Sequence, residues 1–198
     1  MSIISPSMSS KARILVLKRF LAGDEDLIAK VYGIFGIESA FVRKGVLPES
    51  PFFGIFEPFN MMELCFEEKN GIVIPLDVSD LEPLSYLSLE SYQRYLWMSA
   101  VASFILKYAQ FYDEKLFSTF TFYLKKRVTN VKAFYLRLFI DFMNALGIYN
   151  LNVFGEEERR LLHIIESSDE KYLSRLKIDE LLYRKTLKAL EERIQNSL

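Results

Sequence analysis

From Lys11 to about Asp80 the apolar positions recur with the short period of β-strands. "ARILVLKRF" is a short run rich in β-branched residues, and "DLIAKVYGIFG" and "ESAFVRKG" alternate in part. "FEPFNMMELCFEE" alternates loosely, and "KNG" then turns the chain into "IVIPLDV". Asn70-Gly71 is the strongest hairpin signal in the chain, because a two-residue turn of the favoured kind needs positive φ at both positions. Four or five short strands within some 70 residues predict a small barrel of the OB type.

Past "DLEPLSYLSLES" the period changes. Ser88 to Tyr112 contains neither Gly nor Pro, and Tyr92, Tyr95, Leu96, Ser99, Ala102, Ser103 and Leu106 follow the spacing of one helix face. Asp113 is placed to cap a second helix and Asn130 a third, which is expected to stop at Gly147. "GEEERR" opens a fourth with three carboxylates at its positive end. Asp179 to Gln195 makes a fifth, with Leu181, Leu182, Thr186, Leu187, Leu190 and Ile194 on one face. The expected architecture is α+β: a frayed leader over 1–10, an OB-like barrel over 11–82 and an all-helical domain over 83–198.

Half of the 198 residues are hydrophobic and 15% are aromatic, which excludes a disordered chain. The longest apolar stretch, Met98 to Leu106, falls far short of a bilayer span, and the Ser-rich start lacks the charged and apolar regions of a signal peptide. No membrane association and a cytoplasmic location are therefore expected. The single cysteine, Cys65, excludes an intramolecular disulfide and a multi-cysteine zinc site, and the single histidine, His163, lies in a helical pattern. No phosphate-binding glycine loop, metalloprotease helix or nucleophile elbow occurs. "GDEDL" at Gly23 to Leu27 lacks the alternating ligands of a calcium loop. The expectation is a protein without catalytic residues, metal or cofactor.

With a formal charge of −1 there is no global field to draw in nucleic acid, so any contact rests on local patches. Lys18 and Arg19 end the first strand, Arg43 and Lys44 the third, and Lys125, Lys126 and Arg127 the second helix. Cations at a helix end also complement its dipole, and those at strand ends are commonly solvated. Placed beside aromatic strands, they would give the phosphate-plus-stacking chemistry by which OB folds hold single strands.

The order of segments resembles the opening of the DNA-repair mediator RecO family. Its strand K-A-x-V-L-K is similar to Lys11–Lys18, its turn G-E-x-D-x-I to Gly23–Ile28, its turn A-K-G to Arg43–Gly45 and its strand L-Q-P-F to Phe56–Phe59. "LFSTFTFYLKK" and "FYLRLFIDFMNALGIYNLN" resemble that family's helical motifs. The four-cysteine zinc site of many members is absent, and "VLPESPFFG" has no cation where the family tends to carry a basic loop. The resemblance implies a non-enzymatic recombination mediator. Such a protein binds single- and double-stranded DNA, anneals strands and loads recombinase. It works with RecR and recognises the acidic, Phe-ended tail of single-stranded DNA-binding protein. Lys18, Arg19, Arg43 and Lys44 would meet DNA, with Lys125 to Arg127 as a second patch, and Arg137 would meet the tail. The competing expectation is a helical protein–protein adaptor with a structural barrel. In the Phe-rich stretch Phe41–Phe66, most rings are expected in the core, and Phe52 and Phe53 are candidates for base stacking.

Overall fold

A computed structural model describes residues 9–197. The chain has an N-terminal five-stranded closed barrel followed by a helical region, the OB-like barrel and helices expected from the two periodicities. Strands β1 (Ser10–Ala22), β2 (Asp26–Gly33), β3 (Gly36–Val42), β4 (Met61–Lys69) and β5 (Ile72–Glu82) close in the order β1-β2-β3-β5-β4. All neighbours are antiparallel except β3 and β5. The expected leader over 1–10 lies outside the described residues as far as Met8, and Ser10 already belongs to β1.

Alternation builds the barrel interior. Ala12, Ile14 and Val16 from β1, Leu27, Ala29 and Val31 from β2, and Ala40 and Val42 from β3 point inward. They meet Met62, Leu64 and Phe66 from β4 and Val73 from β5. The turn at Asn70-Gly71 has φ of 55° and 74°, as a primed hairpin turn requires.

Strand β1 serves two partners. Its first half pairs with β4 and its second with β2, and a register shift between Val16 and Lys18 leaves Leu17 as the extra residue. At that bulge the incoming loop adds backbone bonds: Val16 N–H donates to Asn60 O at 2.9 Å, and Phe59 N–H to Val16 O at 2.7 Å. The expected strand at Phe56–Phe59 is therefore a turn docked against β1, and β4 begins only at Met61.

Helices α1 (Ser85–Ser88), α2 (Tyr92–Tyr108), α3 (Glu114–Lys125), α4 (Val131–Ala145), α5 (Glu156–Ser167), α6 (Glu170–Leu173) and α7 (Glu180–Gln195) follow. The expected caps form: Asp113 Oδ1 accepts from Lys115 and Leu116 N–H, Asn130 from Ala133 N–H, and Asp179 from Leu181 and Leu182 N–H. Gly147, at φ 68°, ends α4. The first helix expected from Ser88 starts later, because Ser91 is extended and caps α2 through Arg94 N–H. Leu181 is exposed, not part of the α7 core face, which holds Thr186, Leu190 and Ile194.

Two compact units divide after Phe120, inside α3, whereas the secondary structure changes type at about residue 83. The barrel unit keeps α1, α2 and the start of α3 because one outer row of the barrel is apolar. Tyr32 is fully buried, stacked on Phe117 and edge-on to Phe120, and burial pushes its phenol up to about 12. In the second unit α4, α5 and α7 pack on one another. Among the described residues no helix is long and apolar enough to cross a membrane, and no group of three or more His, Cys, Asp or Glu could hold a metal ion.

Candidate nucleic-acid interface

The bulge at Leu17 determines which side chains share the outer face of β1, β2 and β3. Beyond it Lys18 pairs with Lys30, which pairs with Ser39, while Phe20 pairs with Ile28, which pairs with Phe41. Directly paired residues project on the same side, and Leu27, Ala29, Val31, Ala40 and Val42 occupy the inner one. The outer face thus carries a row with two lysines next to a row of two phenylalanines flanking an isoleucine. Lys18 Nζ lies 4.7 Å from the centroid of the Phe20 ring.

Like charges directly across a strand pair are destabilising. Among the described residues neither Lys18 nor Lys30 has a carboxylate within ion-pair reach, so an arriving anion would relieve their repulsion. Phe20 is exposed, with Lys18 over its ring, and Ile28 and Phe41 are half-buried. Strands β2 and β3 are also the surface through which OB barrels generally hold oligonucleotides.

Arg43 and Lys44 are exposed on the turn after β3. Lys44 has φ 54°, and its N–H donates to Asp26 Oδ1 at 2.7 Å, which ties the turn to the start of β2. Arg19 forms an ion pair with Glu57 at 2.6 Å. Lys18, Arg43 and Lys44 thus stay available to a ligand on the barrel, and Arg19 is available once it leaves Glu57.

The second patch is different. Lys125 and Arg127 are exposed, but the Lys126 side chain is only 9% exposed, pairs with Glu170 and lies over the Phe122 and Phe134 rings. Arg137 is likewise engaged inside its own unit. Its Nε donates to Asp141 Oδ1 at 3.1 Å, and one terminal nitrogen to the Ile165 and Glu166 carbonyls, at 2.8 and 2.9 Å, that end α5. Asp141 also accepts from the buried Tyr123 hydroxyl at 2.6 Å, and burial raises that phenol far above its ordinary value. This network closes a helix end and leaves Arg137 little freedom to grip a partner's carboxylate.

Phe20, Ile28, Lys30 and Phe41 complete the face, and the sequence gives a signal for part of it. In "DLIAKVYG" the inward alternation of Leu27, Ala29 and Val31 sends Ile28 and Lys30 outward. The alignment of Lys18 with Lys30 depends on the bulge, which no residue pattern announces. Among the rings proposed for stacking, Phe52 packs against the barrel core edge-on to Phe56, whereas Phe53 is exposed.

Charge is unevenly divided between the units. The barrel unit carries fifteen Asp and Glu against eleven Lys and Arg, a net of −4; the helical unit carries eleven against fourteen, a net of +3. Any attraction of a polyanion to the barrel would therefore rest on the Lys18–Lys30 patch and not on the unit's overall field.

The sequence matches no protein-family model. It is similar to an uncharacterized protein of Aquifex aeolicus (strain VF5), with 38% identity over 137 residues, or 69% of this chain. The chain spans 64% of the length of that relative.

Proposed function

We propose that this protein is a non-enzymatic DNA-binding mediator of the RecO kind, acting in the cytoplasm on single-stranded DNA. The observation that carries the reading is the outer face of β1, β2 and β3, with Lys18 and Lys30 beside Phe20, Ile28 and Phe41. Cations there neutralise phosphates and release counterions, and the rings stack on bases, a chemistry that needs no covalent step. Arg43 and Lys44 extend the track along the turn after β3. The order of a barrel followed by helices is that of the resembled family. On this reading duplex DNA binds the same cations, and annealing and recombinase loading with RecR and single-stranded DNA-binding protein follow.

A second reading, a protein–protein adaptor, draws on the net negative barrel unit and on an apolar surface at α1 and α2, where Tyr86, Leu89 and Tyr92 are 69%, 77% and 76% exposed. Annealing of complementary oligonucleotides coated with single-stranded DNA-binding protein separates the two. The mediator accelerates annealing, and Lys18→Glu/Lys30→Glu abolishes the acceleration while the variant stays folded. An adaptor gives no acceleration, or one that the charge reversal leaves unchanged.

A further inference from the structure

We propose that the groove beside α2 holds an unstacked base of a bound single strand and so makes the protein select single strands over duplex. This rests on the DNA-binding reading of the barrel face. The groove is open to solvent and has a volume of about 1080 Å³ within the barrel unit, between Leu17–Arg19 of β1, the loop Phe53–Asn60 and helices α1 and α2. That is the upper range of small-ligand sites, enough for a base with its sugar.

Its lining is mostly apolar, with aromatic rings and a few hydroxyls, which suits a flat ring with a polar edge. Phe53, Tyr86 and Tyr95 are exposed around it, and Tyr95 is fixed edge-on to Phe59 at 6.5 Å. Ser99, Ala102 and Ser103 of α2 make the adjoining wall, where small side chains leave depth and two hydroxyls can meet the edge of a base. Every base has a face for stacking and an edge for hydrogen bonds.

Position and charge supply the connection. Lys18 lines the groove and also stands opposite Lys30 on the strand face. A smaller hollow of about 400 Å³ shares Arg19, Phe53, Gly54 and Glu57 with the groove and has Phe20 of the strand face in its lining. Lining residues thus run from Phe20 through Phe53 to Tyr95. The charged residues of the groove are Lys18, Arg19 and Glu57, and the last two pair with each other, which leaves Lys18 for a phosphate at the entrance. A duplex keeps its bases stacked and paired and reaches only the outer cations.

The test uses the full chain, a 15-nucleotide oligo-dT carrying one 2-aminopurine, and a duplex of equal length. Ser99→Leu/Ser103→Leu fills the groove, and Tyr95→Ala removes a wall. Either variant is expected to weaken single-strand binding roughly tenfold, the effect of losing about one base–aromatic stack, and to change the 2-aminopurine emission of the complex. Duplex affinity should stay within about twofold, as expected when phosphate contacts are untouched. Should both groove variants bind single strands like wild type while Lys18→Glu/Lys30→Glu weakens both ligands, the groove assignment falls and the strand-face reading stands. Equal loss for single strands and duplex also overturns it. A folded Lys18→Glu/Lys30→Glu variant that binds both ligands like wild type removes the DNA-binding reading itself, and the groove proposal with it.

Discussion

Asn60 is the side chain on which the wall of the groove depends most. It is 1% exposed, its Nδ2 donates to Ile55 O at 2.9 Å, and its Oδ1 accepts from Ser85 N–H at 3.0 Å. One amide thus holds the loop before β4 to itself and to the start of α1, while the Asn60 carbonyl completes the β1 bulge. Asn60→Ala strands a carbonyl and an N–H in half-buried surroundings. At about 1–1.5 kcal/mol for each group that water partly reaches, the loss is about 2–3 kcal/mol. For a unit of this size that lowers the melting midpoint by about 6–15 °C, at roughly 3–5 °C per kcal/mol. Trp97, the chain's one tryptophan, is fully buried in α2 of the same unit, so its fluorescence during thermal or urea unfolding reports on this unit. A variant that melts within about 2 °C of wild type, about 0.4–0.7 kcal/mol on that scale, would refute the idea that this amide pins the loop.

Further outcomes follow from other contacts. Arg137→Met should destabilise the helical unit by about 2–3 kcal/mol, as read by the midpoint of helical circular dichroism in urea, because it takes the guanidinium donors from the end of α5 and leaves Asp141 with the Tyr123 hydroxyl but without its cation. The Glu158 carboxyl is held below its ordinary 4.5 by its own backbone N–H and then by Lys185, so it stabilises the folded state above that pH. That contribution is lost as pH falls through the lower folded value, and Glu158→Gln should flatten the urea midpoint against pH between about 5 and 3. Phe52→Ala should cost about 2–3 kcal/mol of barrel stability through lost packing. Phe53→Ala should cost under about 0.5 kcal/mol, as an exposed position does, while weakening single-strand binding.

Local chemistry made much of the fold legible. Asp113, Asn130 and Asp179 cap helices where short polar side chains precede apolar runs, and Asn70-Gly71 turns the hairpin, since each signal acts within four residues. Faces set by tertiary packing were harder to read. Tyr95, Ser99, Ser103 and Leu106 have the spacing of a core stripe but line the groove without being buried, whereas Trp97, Met98, Val101, Phe104, Ile105 and Tyr108 are among the buried positions, and Ala102 is both buried and at the groove. Helix α2 is apolar around most of its circumference, so periodicity cannot tell which side meets the barrel. The same limit applies to cations. Lys126 and Arg137 look like Lys18 in the sequence, yet the first two have partners far along the chain in Glu170 and the end of α5.

The most direct measurement is the affinity of a labelled single-stranded oligonucleotide as a function of salt, for wild type and for Lys18→Glu/Lys30→Glu. Each phosphate neutralised on a single strand contributes about 0.7 to the slope of log K against log salt. With Lys18, Lys30 and Arg43 in contact, the wild-type slope should be about −2 or steeper, and the charge reversal should reduce it by about 1.4 or more. A wild-type protein with no salt-dependent binding, or a folded double variant with an unchanged slope, would contradict the assignment of this barrel face to DNA.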